Sequence, residues 1–148
     1  MAFGRPRRQS EPRASEPEPY DPAWSVPPHF NFAHDVVDVL ARDRFCPALT
    51  HVAGDGTVDR CTFADIARES TRWARLLHER VPEPGARVVI ALEPGTAWAA
   101  AIVGALRIGV LPVPVGSALS TTDLALRIVE VDPALVLAGR EVALAGTE

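Results

Sequence analysis

From about residue 29 onward, apolar positions switch between helical spacing and the short runs typical of strands. Asn31 is placed to cap a helix running to about Asp43, with Ala33, Val36, Val37 and Leu40 on one face. Pro47 opens an extended stretch, Ala48 to Val52. Gly54-Asp55-Gly56 then signals a turn, and Val58 to Thr62 returns as the second strand of a hairpin. Thr62 followed by Asp65 has the spacing of a capping box, with Asp in place of the usual Glu or Gln. The helix it starts is predicted to reach about Arg80 and to turn Phe63, Ile66, Ala67, Ala74, Leu77 and Val81 inward. Pro82, Pro84 and Gly85 end it.

Val88 to Leu92 is a continuous apolar run, as expected of a strand buried on both faces. Pro94-Gly95-Thr96 turns the chain into a helix from about Ala97 to Ile108 that is apolar on nearly every side and therefore expected in the interior. Gly109 stops it, and Val110 to Val115 forms the next strand. Ser120 with Asp123 repeats the capping pattern before a helix lined by Leu124, Ile128 and Val131. Asp132-Pro133 ends that helix, and Ala134 to Ala138 makes a last strand. Strands alternating with helices predict an α/β fold, a partial parallel sheet with right-handed crossover helices plus a short N-terminal β-hairpin.

The length of 148 residues suits one domain. Residues 1–28 stand apart: they are rich in proline, lack apolar periodicity, and balance Arg5, Arg7, Arg8 and Arg13 against Glu11, Glu16, Glu18 and Asp21. Such a segment buries too little surface to offset its ordering entropy, so it reads as a disordered lead to a body spanning 29–148.

Net charge is −4, which leaves no basic field for nucleic acid. All fifteen basic residues are Arg, and the absence of Lys excludes a Walker lysine, a Schiff-base lysine and a lysine general base. Arg7-Arg8 superficially suggests a twin-arginine signal, but Glu11, Glu16 and Glu18 occupy the place of its apolar core. The longest apolar stretch, Ala97 to Val115, is broken by Arg107, Pro112 and Pro114, so no membrane span is expected. Cys46 and Cys61 have neither metal-ligand nor redox spacing. Free thiols in a reducing, cytoplasmic compartment are the expectation.

Candidate chemistry is sparse. No G-x-G-x-x-G follows a strand. The Pro94-Gly95-Thr96 turn could offer backbone N–H groups to an anion, although an ordinary strand-to-helix turn is the commoner reading. His29, His34, His51 and His78 match no zinc spacing. Ser117, in Gly116-Ser117-Ala118, lacks the second glycine of a nucleophile elbow. Asp35, Asp38 and Asp43 suit a solvated helix face better than a paired acid/base site. Arg68, Arg72 and Arg75 form an exposed stripe suited to pairing along the helix.

Four segments nevertheless resemble a known family. Phe30 to Asp38 (FNFAHDVVD) looks like the opening of medium-chain and aryl acyl-CoA synthetases. Cys61 to Ala67 (CTFADIA) and Leu106 to Val115 (LRIGVLPVPV) resemble the first and second core motifs of AMP-binding, adenylate-forming enzymes. Leu119 to Ile128 (LSTTDLALRI) matches the segment that follows in those ligases. Glu93-Pro94 and Gly116-Ser117 depart from the family's usual loops, which leaves the acyl substrate unassigned.

The resemblance implies a part in fatty acid metabolism: a carboxylic acid attacks the α-phosphate of Mg-ATP, pyrophosphate leaves, and coenzyme A then displaces AMP. Such chemistry needs donors around a triphosphate, a metal and a cation at the developing charge. The family's lysine loop, acidic ribose contact and C-terminal lysine do not occur up to Glu148. No catalytic, cofactor-binding or metal-binding residue is therefore carried over. ATP, Mg and coenzyme A are expected of a complete family member, and this chain is expected to be an inactive N-terminal fragment. The alternatives are a non-catalytic α/β interaction module serving a separate partner chain, and a truncated gene product. Self-association or a partner chain is expected to cover the apolar helix, with Trp98 reporting the contact.

Overall fold

The computed structural model describes residues 27–139. Apart from its last two positions, the proline-rich lead lies outside the described residues, as does the chain beyond Gly139.

The first helix departs most from expectation. A π-helical turn, Ala33–Val37, runs into a single α-helical turn, α1 (Asp38–Leu40), and the helix does not continue to Asp43. Asn31 does cap it: its Oδ1 accepts from the Ala33 N–H at 2.9 Å, and the Asp35 carboxylate accepts from the Asn31 N–H at 2.6 Å. Widening the turn alters the face it presents. Ala33 and Val37 are buried, Val36 is half-buried, and Leu40 faces solvent.

Strands β1 (Pro47–Val52) and β2 (Val58–Thr62) form the antiparallel hairpin, with Leu49 opposite Cys61 and Val52 opposite Val58. Its turn closes through Gly56, at φ +84°, and through Asp55, whose Oδ1 accepts from the Thr57 N–H. Helix α2 (Phe63–Arg80) opens on a reciprocal capping box. Thr62 Oγ1 accepts from the Asp65 N–H at 3.2 Å, and the Asp65 carboxylate accepts from the Thr62 N–H at 3.0 Å. Ile66, Ala74 and Leu77 on this helix are buried, as is Val81 just beyond it. Phe63 and Ala67 pack half-buried beside them.

Strand β3 (Arg87–Ala91) is the centre of a parallel three-stranded sheet ordered β4-β3-β5, with β4 at Leu111–Pro114 and β5 at Leu135–Ala138. Its two faces divide the core. Val88 and Ile90 join Leu77, Val81, Ala101 and Ala105 on one side. Val89 and Ala91 pack with Leu124 on the other. Helices α3 (Thr96–Arg107) and α4 (Thr121–Val131) thus cover opposite faces. Two crossovers of like hand require this when strand order reverses at the central strand.

Helix α3 is not enclosed on every side, which corrects the expectation of a fully interior helix. Ala100, Ala101, Val103, Gly104 and Ala105 are buried, but Ala97 is exposed and Trp98, Ile102 and Arg107 are half-buried. Gly104 lets it approach α2 closely. A Cβ there would lie 2.6 Å from the Trp73 Cβ and 2.8 Å from the Ser70 carbonyl oxygen. Helix α4 starts at Ser120, whose Oγ accepts from the Asp123 N–H at 3.1 Å. It ends at Asp132 in the left-handed region.

Candidate functional site

In an open α/β sheet the functional crevice forms beyond the carboxyl ends of the strands, where strand order reverses. Here that position is the β3–α3 turn, Glu93 to Thr96. Gly95 adopts φ +150°, and a Cβ on it would stand 4.0 Å from His51 Nδ1. Thr96 Oγ1 donates to Asp59 Oδ2 at 2.9 Å, tying the hairpin to the start of α3. Helix α3 has no side-chain cap at this end. The Asp59 carboxylate is held at this end by the Thr96 hydroxyl, and Glu93 lies exposed in the turn. Two acids beside a helix N-terminus disfavour a polyphosphate, and the turn by itself does not fit one.

The remaining candidates disperse. His29 and His78 are exposed, and His51 is the one histidine beside the turn. Ser117 sits half-buried in the loop after β4, with no histidine beside it in sequence. Arg68 bonds Asp65 and Glu69, and Arg72 bonds Glu69. Arg75 is exposed on the same helix, so the stripe pairs largely along its own surface. Asp43 accepts from the Phe45 N–H. Cys46 is half-buried and Cys61 buried, and both are free. Among the described residues, no group of three His, Cys, Asp or Glu side chains could hold a metal ion.

A polar cluster that sequence reasoning missed lies where α3 ends. Arg107, with its side chain 12% exposed, grips Asp38 through two bonds: Nη1 to Oδ2 at 2.7 Å and Nη2 to Oδ1 at 2.8 Å. Nη2 also donates to Ser70 Oγ at 3.1 Å, and His34 Nδ1 lies 3.1 Å from Asp38 Oδ2. The Arg107 guanidinium holds the Asp38 carboxyl below its usual pKa by hydrogen bonding and charge, against the opposing effect of burial. Arg107 Nε is buried without a partner. The one sequence signal was an arginine closing an otherwise apolar helix. Its partner Asp38, expected on a solvated helix face, is instead half-buried and held by this arginine, because the first helix packs against the end of α3.

An open groove of about 670 Å³ runs between β4 and α4, lined by Val113, Val115, Leu119, Arg127 and Val131. It is mainly apolar, and its charged lining residues are Arg87 and the paired Arg127 and Glu130.

The family model for the AMP-binding enzyme matches residues 41–147. The chain belongs to the AMP-binding enzyme family. This AMP-binding family member is 34% identical over 110 residues to the mitochondrial acyl-coenzyme A synthetase ACSM5 of Rattus norvegicus, a match covering 70% of the chain and 19% of the relative. The Homo sapiens ACSM5 protein is 31% identical over the same coverage. The chain thus spans about a fifth of the length of these curated relatives. Among solved structures, a Brucella canis acyl-CoA synthetase superposes with a TM-score of 0.60 at 25% identity, covering 74% of this chain and 20% of that one. The Klebsiella oxytoca NpsA N-terminal subdomain gives 0.65 at 18% identity, over 76% and 29%, and supports the fold alone. The α/β sheet with its hairpin is therefore the N-terminal subdomain architecture of adenylate-forming enzymes. No helix among the described residues is long and apolar enough to cross a membrane.

Proposed function

We propose that this chain is the N-terminal piece of an AMP-dependent acyl-CoA synthetase, with residues 29–148 an incomplete domain. The whole enzyme would activate a carboxylic acid with Mg-ATP to an acyl-adenylate and pass the acyl group to coenzyme A, in fatty acid metabolism. The observation carrying this reading is the 34% identity to an acyl-coenzyme A synthetase along a stretch that forms only a fifth of that relative. In this division of labour the chain supplies a sheet and its covering helices, while nucleotide chemistry belongs to the rest of the enzyme. The dispersed candidate residues and the absence of Lys support that division.

The purified chain is expected to catalyse no ATP–pyrophosphate exchange with medium-chain or aryl acids. Exchange above a boiled control, lost when the acid is omitted, would refute the fragment reading.

The runner-up is a non-catalytic interaction module working with a separate chain. It is favoured by one observation, that β5 lies at an edge of the sheet formed by the described residues. Either reading has the chain associate through that edge, with a partner or with itself. Free Cys46 and Cys61 fit the cytoplasmic placement included in this proposal; the mammalian relatives, named as mitochondrial, supply the competing compartment.

A further inference from the structure

The segment 31–40 is joined to the body by side chains alone. Its main-chain hydrogen bonds are local: His34 and Asp35 N–H donate to the Asn31 carbonyl, and the Ala41 N–H donates to Val37. The first main-chain bond to the body comes later, from the Phe63 N–H to the Cys46 carbonyl. Among the described residues, what holds the segment down is small. Ala33 and Val37 insert against Cys61, Ile66 and Val103. Asn31 Nδ2 donates to the Leu106 carbonyl at 2.8 Å, and Arg107 clasps Asp38. Phe32, Val39 and Leu40 remain substantially exposed, so the segment contributes little else to the core.

Detaching this segment would break no sheet or hairpin ladder. Arg107 would keep its bond to Ser70 and gain water for the rest of its guanidinium. A low opening free energy belongs to units with few buried apolar contacts and self-contained backbone bonding. We propose that residues 31–40 form a strap that opens as a unit while the rest of the fold stays closed. The Asp38–Arg107 pair is its latch. Opening uncovers an apolar patch that contains the Cys61 thiol, which is 7% exposed when the strap is down.

Alkylation by iodoacetamide tests this in the full chain carrying Cys46→Ser, which leaves Cys61 as the single thiol. The labelling rate is measured across low urea concentrations and compared with global unfolding followed by tryptophan fluorescence. A local opening gives a rate that rises far less steeply with urea than the global equilibrium does. Asp38→Asn is expected to raise the low-urea rate about fivefold, the loss of one charge-assisted contact on a partly exposed group. Ile128→Val, on the opposite face of the sheet, destabilises the closed and strap-open forms alike and should leave that rate unchanged. The strap is disproved if Cys61 reacts only with the full urea dependence of global unfolding. Equal acceleration by Asp38→Asn and Ile128→Val would disprove it as well.

Discussion

At Gly104 two opposed effects of a single methyl group can be weighed. Alanine is favoured over glycine inside a helix by about 1 kcal/mol. Here the new Cβ would press on the Trp73 Cβ and the Ser70 carbonyl, both attached to a rigid neighbouring helix. Overpacking of that kind costs about 1–3 kcal/mol, so the clash outweighs the propensity gain. Gly104→Ala should lower the urea midpoint without changing the slope, and a raised midpoint would show that α2 and α3 can part freely. Neither Gly104 nor Arg107 announced its role in the sequence. A glycine within an apolar helix reads as a weak point until its neighbour is known, and Arg107 reads as an interruption. Both depend on a surface brought up by folding, which local periodicity does not encode.

At the scale of elements, the legible features were those with local causes. The Gly54-Asp55-Gly56 turn, the buried run of β3 and the caps at Thr62 and Ser120 each act within a few residues, and each formed. The first helix departs from its local pattern, and the two ends of its π-turn, Ala33 and Val37, are the residues that dock in the core. The capping box of α2 allows a quantitative expectation. Thr62→Ala should cost about 1 kcal/mol in urea unfolding, and Thr62→Ser considerably less, because the hydroxyl is retained. Asp65 also carries a pH signature. Hydrogen bonds from Thr62, then the Arg68 guanidinium, lower its pKa from 3.8 to about 2. Since the folded value lies below the unfolded one, its stabilisation is complete above about pH 4 and is lost as pH falls toward 2. Asp65→Asn should therefore flatten the fall in urea midpoint between those limits. An undiminished fall would assign the acid sensitivity to other carboxylates, Asp38 first.

For the molecule as a whole, the two outer edges of the sheet differ in chemistry. Leu111 and Val115 N–H donate inward, to the carbonyls of Ala86 and Ile90. The outward positions on β4 are therefore Pro112 and Pro114, which have no N–H to offer. That edge is closed to another strand by its covalent structure. On β5 the Ala134 N–H donates to Arg87, and the same alternation turns Leu135 and Leu137 outward, where their donors and acceptors have no main-chain partner among the described residues. A parallel sheet with a single usable edge grows in one direction only, which suits a piece of a larger enzyme. If association through β5 occurs, the amide hydrogens of Leu135 and Leu137 should exchange more slowly as protein concentration rises, while Leu111 is unaffected. Sedimentation should show a concentration-dependent species over the same range. Trp98, already packed against the Leu77–Ile90 cluster, should change little in fluorescence, contrary to its expected role as reporter. A single monomeric species with unchanged exchange at β5 would mean that four short, half-buried residues do not make an edge sticky enough to pair.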